Sequence, residues 1–140
     1  MAVHDGIAVR TDLFEHRTVA PHFINECCFG EDFAQWLRSA LAHLTAAGFS
    51  FSDPIQEDYG WGLWAQHGGD RFWIALSYGH DGPIEGPAEW VVSVDRDDGL
   101  NVLRRLWRRS DPATLSALRD AVRNALGTNR GIAILTQTSA

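Results

Sequence analysis

The residues best suited to chemistry are two carboxylates and a histidine. Glu57 and Asp58 are neighbours, and His80 follows a run of alternating residues that begins at Tyr59. If that run folds into a hairpin, Glu57 comes opposite His80, with Asp81 next to it. A carboxylate beside an imidazole can orient it or strengthen it as a general base. The same pair is also what ordinary hydrogen bonding at a strand end looks like, and no nucleophile motif lies nearby. A second pointed feature is Arg104, Arg105, Arg108 and Arg109, whose spacing makes one basic edge of a helix. Guanidinium groups grip carboxylates and phosphates bidentately, so this edge is a candidate anion-binding site. Its plainer role is pairing with Asp95, Asp97 and Asp98.

Much chemistry is excluded by what the 140 residues lack. Every one of the 12 basic residues is Arg. Lysine-dependent chemistry, Schiff bases included, is therefore absent. There is no G-x-G-x-x-G, phosphate-binding P-loop, G-x-S-x-G or H-E-x-x-H motif. The six histidines are dispersed, without H-x-x-x-H or C-x-x-C spacing, so no metal and no cofactor are expected. The acidic stretch Asp95–Gly99 lacks the spacing and terminal Glu of an EF-hand. Cys27 and Cys28 are adjacent, and a bridge between neighbours is strained, so two reduced thiols are expected. A net charge of −6 argues against nucleic acid as a partner. No apolar stretch reaches the roughly 20 residues that span a bilayer, and Met1–Arg10 has no basic-then-apolar run. A cytoplasmic location away from membranes is the expectation.

The elements that must position these residues follow from periodicity. Residues 1–17 read as a loose N-terminal arm with a short strand at Gly6–Arg10. Thr18–Cys28 is β-rich, and Pro21 assigns it to an edge. Phe33, Trp36, Leu37, Ala40, Leu41, Leu44 and Ala47 recur at helical spacing from Glu31 onward, and Gly48 stands where a terminating glycine belongs. After Asp53-Pro54 the period becomes two. Gly68-Gly69 between two alternating runs predicts a two-residue hairpin turn, with a third strand at Trp90–Asp95. Helices are predicted over about 100–109 and from Asp111-Pro112 to Gly127, then a last strand over Gly131–Thr136. The order β-α-β-β-β-α-α-β makes the chain one α+β domain, 1–140. It should form a mainly antiparallel sheet of about four to five strands with helices packed on one face.

The Gly68-Gly69 turn fixes a register. One face then holds Tyr59, Trp61, Leu63, Ala65, Phe72, Ile74, Leu76 and Tyr78, joined by Trp90, Val92 and Val94 from the third strand; this is the core face. The other sets Trp64 against Trp73, Gly62 beside Ala75, Gly60 beside Ser77 and Asp58 beside Gly79. That second face is small, half polar and aromatic at one end. Glycine inside a strand marks close approach by a backbone or a ligand. A cross-strand Trp pair can equally serve only to hold the hairpin together.

Asn25–Phe33 running into Trp36-Leu37, followed by Pro54-Ile55-Gln56-Glu57-Asp58-Tyr59-Gly60-Trp61, resembles a pattern in uncharacterised bacterial conserved-hypothetical proteins. Their P-x-x-E-D-aromatic-G-W stretch follows an amphipathic helix, and the resemblance covers the middle half of the chain. It implies no activity, but it places weight on Glu57–Trp61. The leading expectation is a non-enzymatic binding or protein-interaction domain, with a homodimer or a protein partner. It would use Trp64, Trp73, Asp58 and Ser77 on the second face. The alternative is a small enzyme or ligand-binding protein with a carboxylate/histidine site at Glu57, Asp58 and His80.

Overall fold

The computed structural model describes residues 6–24, 28–97 and 112–137. In chain order its elements are β1 (Gly6–Thr11), α1 (Glu31–Ala40), a 3₁₀ stretch (Ala42–Ala47), β2 (Phe49–Phe51), β3 (Ile55–Glu57), β4 (Gly60–His67), β5 (Asp70–Tyr78), β6 (Ala88–Arg96), α2 (Pro112–Thr128) and β7 (Ile132–Gln137).

The central hairpin is the one its turn residues dictate. Gly68 takes φ 59° while Gly69 stays out of the positive region, a φ pattern suited to the II′ turn that matches strand twist. His67 pairs with Asp70, Trp64 with Trp73, Leu63 with Ile74 and Trp61 with Leu76. Alternation then sends Trp61, Leu63, Ala65, Phe72, Ile74, Leu76 and Tyr78 to one face, where none is more than 8% exposed. From β6, Trp90, Val92 and Val94 join them. α1 covers this face with Phe33, Ala34 and Leu37, and α2 with Leu118, Val122 and Leu126. Trp90 lies within the aromatic cluster, its ring 5.4 Å from Phe33 and 5.0 Å from Tyr78. Its indole N–H has no hydrogen-bond partner among the described residues.

The architecture is α+β with an antiparallel sheet ordered β2-β4-β5-β6-β1-β7, and with β3 also on β4. Among the described residues it has seven strands rather than four or five. Part of the difference has a local cause. Asp53-Pro54 divides the edge partner of β4 into two three-residue strands, since proline cannot donate to a ladder. Ser52 bridges the gap: its N–H donates to the Trp64 carbonyl at 2.9 Å, and its Oγ accepts the Trp64 N–H at 2.8 Å.

Several expectations are corrected. Residues 6–17 are not a loose arm. β1 lies inside the sheet between β6 and β7, and Phe14 stacks on Phe33 at 4.1 Å. Asp32 ties the same segment down, accepting the Glu15 N–H at 2.7 Å. Residues 18–24 form turns rather than an edge strand, because β2 and β3 already occupy the edge of β4. Phe23 packs instead against Trp61, 5.2 Å between rings. The first helix tightens to 3₁₀ geometry after Leu41, as helix ends often do, before Gly48 closes it at φ 97°. α2 runs past Gly127 to Thr128. Cys28, expected as a reduced thiol, is disulfide-bonded; Cys27 lies outside the described residues. The expected helix over 100–109, with Arg104, Arg105, Arg108 and Arg109, also lies outside them, as does Asp111. No described helix is long and apolar enough to cross a membrane.

His16 is fully buried, with Nδ1 2.8 Å from the Phe14 carbonyl and Nε2 2.7 Å from the Gly86 carbonyl. It pins the segment after β1 to a loop 70 residues further along. His16→Leu removes the only ring that serves both oxygens. A buried polar group left unpaired costs about 1–3 kcal/mol, so unfolding in urea should show that loss of stability as a lower midpoint with an unchanged slope. An unaltered midpoint would show that the pin carries no stability.

Candidate functional site

The second face of the sheet is built from the same register. Trp64 and Trp73 are directly opposed, with ring centroids 4.6 Å apart and planes tilted by 56°. Both are half-buried, whereas their in-facing neighbours are fully covered. Arg71 lays its guanidinium 4.2 Å from the centre of the Trp64 ring. Asp97 holds that guanidinium in place, accepting from Nη2 at 2.7 Å and Nε at 3.2 Å. On the far side of the pair, the Trp73 indole N–H donates to the Tyr59 hydroxyl. Asp97, Arg71, Trp64, Trp73 and Tyr59 thus form one continuous ridge.

Tyr59 is the chief correction to the predicted faces. Pairing stops at Gly60–Ser77, so Tyr59 never meets Tyr78. Instead Glu57 pairs with Gly60, and Asp58-Tyr59 are the two turn residues between β3 and β4. Neither has positive φ, so the turn carries none of the Asn-Gly or Gly-Gly chemistry that would announce it. Tyr59 is 44% exposed and belongs to the ridge, not to the core. The glycines have a correspondingly internal explanation. A Cβ on Gly62 would come within 2.3 Å of the Trp73 ring and 2.6 Å of the Ile74 carbonyl oxygen. The group that approaches this glycine is the chain's own Trp73. Beyond the ridge lie Ser77, Val91 and Ser93, with Val91 42% exposed. Both helices lie on the opposite face, where their buried residues join the core cluster.

The residues singled out for acid–base chemistry do not come together as the register foresaw. Glu57 sits in β3, exposed. Asp58 is in the turn, its carbonyl oxygen 3.6 Å from the Cys28 sulfur. His80 follows β5, and its Nε2 accepts the Glu89 N–H at 3.1 Å. A backbone amide therefore occupies the lone pair that a general base would use. Ser77 is half-buried in the middle of the open face, paired with Gly60 and Val91. Among the described residues no group of His, Cys, Asp or Glu is arranged to hold a metal.

No protein-family model matches the sequence, and no curated protein or solved structure matches it either. The site must therefore be read from its own geometry.

A competing concavity lies between the helices, a shallow cleft of about 470 Å³ with Trp36, His43, Asn124 and Arg130 on its walls. His43 already uses Nδ1 on the Ala40 carbonyl at 3.1 Å.

The ridge also has an electrostatic signature. Partial burial pushes the Tyr59 hydroxyl above the ordinary phenol range; the bond from Trp73 opposes this, and the carboxylates of Glu57 and Asp95 add to it. Burial raises Tyr78 as well, against a smaller lowering by Arg17. These are the only two tyrosines. Titration followed by tyrosinate absorbance should therefore show no group ionising at the free value of about 10 in the folded protein. The unfolded chain would ionise first, so stability should decline as pH rises through and above about 10. A native titration that coincides with the urea-unfolded one would contradict the geometry of the ridge.

Proposed function

We propose that the chain is a non-enzymatic interaction domain that binds a protein partner, or a second copy of itself, on the open face around Trp64 and Trp73. The observation that supports this reading is the ridge itself. Two indoles and a phenol sit at half-exposed positions, and each is fixed before any partner arrives. Trp64 is clamped by Arg71, and Trp73 is held by Tyr59 and seated over Gly62. Aromatic side chains dominate interface energetics, and ones already locked in place lose little conformational freedom on binding. The small groups beside the ridge, Ser77 and Ser93, leave room for a partner's side chains.

Peptides selected on the wild-type protein from a displayed random library provide the test. A central aromatic anchor contributes about 2 kcal/mol or more, so Trp73→Ala should weaken the selected peptides by about 30-fold. Its circular dichroism should remain that of the wild type. If the occupant is a second copy, sedimentation equilibrium should show the same substitution shifting dimer to monomer. Selected peptides that bind the Trp64→Ala/Trp73→Ala double variant as tightly as wild type, with self-association unchanged, would refute the proposal.

A further inference from the structure

We propose that the outer edge of β7 takes up the β7 strand of a second copy, antiparallel about a two-fold axis, so that two sheets join into one. This surface is separate from the Trp64–Trp73 ridge and does not depend on the ridge binding anything.

A strand at the end of a sheet displays N–H and C=O groups at ladder spacing, and another strand is what fits them. The sheet has two such ends, built differently. At the β2–β3 end the strands are three residues each, Asp53-Pro54 parts them, and Asp53 and Glu57 are exposed. Short strands, proline and charge are the usual guards against edge-to-edge pairing. β7 has none of these. It runs for six residues, Ile132–Gln137, without proline or charge. Among the described residues it pairs with β1 alone. Its one irregularity is a bulge at Leu135, passed over between the Ile134–Val9 and Thr136–Ala8 pairs. Before the bulge the strand is regular, with Ile132 opposite Thr11 and Ala133 opposite Arg10. Ile132 is buried, whereas Ile134 and Leu135 are 42% and 38% exposed.

Charge favours a second copy as the occupant. With a net charge of −6, most of the surface repels another copy. No charged residue follows Arg130, so two β7 strands meet without that repulsion. Asp120 and Arg123 of α2 line a shallow cleft with Ile134 and lie 3.4 Å apart. A strip carrying both signs is its own complement across a two-fold axis, which a strip of one sign is not. Alternation narrows the register. Residues directly opposite share a face, so the axis passes through a residue and not between two. Centred on Ala133, in the regular stretch, it sets Ala133 against its own copy. Ile134 then meets Ile132 of the other copy, and the core continues across the join. The axis stands perpendicular to the sheet, which leaves both open faces on one side. So short a join makes a weak, reversible dimer.

Sedimentation equilibrium of the full chain tests this with a charge swap at Ala133. That side chain is exposed, so substitution should leave the circular dichroism unchanged. The wild type should dimerise reversibly. Ala133→Lys and Ala133→Glu should each weaken the dimer about tenfold, since each sets like charges against one another on the axis. An equimolar mixture of the two should associate as well as the wild type, a rescue that mere damage to the fold would not give. Hydrogen exchange on the wild type needs no substitution: β7 amides should slow as protein concentration rises. Should either variant fail to fold, that exchange result decides alone, and rates independent of concentration would overturn the proposal. Single variants that dimerise like the wild type, or a mixture that fails to reassociate, would also overturn it. So would a wild type that is monomeric at every concentration, which would leave the edge to an extended segment of another protein. A dimer dissolved by Trp73→Ala but untouched by both Ala133 variants would put the second copy on the ridge instead, and the β7 pairing would be wrong.

Discussion

Everything in this molecule depends on the register of the β4–β5 hairpin. Side chains alternate with a period of two, so a slip of one residue would send Leu63, Phe72 and Ile74 to the open face and Trp64 and Trp73 into the core. The Gly68-Gly69 turn prevents that slip at one end. Ser52 helps at the edge, keeping both backbone groups of Trp64 paired where Pro54 interrupts the neighbouring strand. The in-facing residues then hold the register through burial against α1 and α2. The core face and the candidate site are therefore two sides of one constraint.

The division of labour between the faces explains the glycines of β4. Glycine weakens a strand, and its presence at 60 and 62 needs a compensating use. At position 62 the use is steric: Trp73 folds down onto the backbone, which lets its N–H reach Tyr59 from the β3–β4 turn. The strand gives up side chains there to seat a rigid aromatic ridge. Arg71 and Asp97 finish the other end of the same ridge with a stacked ion pair. Such a pair is worth little as a surface salt bridge, but it holds the Trp64 ring in a fixed place.

How much of this was legible in the sequence depended on whether a local signal existed. The hairpin, its register and the opposition of Trp64 to Trp73 follow from Gly-Gly and the alternating pattern, and all are present. α1 and α2 were legible from apolar spacing. Tyr59 was misplaced because nothing in Asp58-Tyr59 marks a turn, and alternation alone carried it into the core. The Glu57–His80 juxtaposition failed for the same reason, since it assumed an unbroken strand through residue 59. The anchoring of residues 6–17 was invisible because it rests on long-range contacts, Phe14 to Phe33 and His16 to Gly86, which leave no periodic trace. Pairings such as Arg71 with Asp97 and Trp73 with Asp95 are likewise products of tertiary register.

The central claim is that Trp64 and Trp73 form a fixed, solvent-open ridge while the remaining sheet aromatics are core. Indole N–H exchange, followed by NMR in heavy water, tests it most directly. Trp64 should exchange fastest, Trp73 more slowly because Tyr59 holds its N–H, and Trp90 only on global opening. Trp64 and Trp73 protected as strongly as Trp90 would mean that the face is covered, and the account of the site would fail.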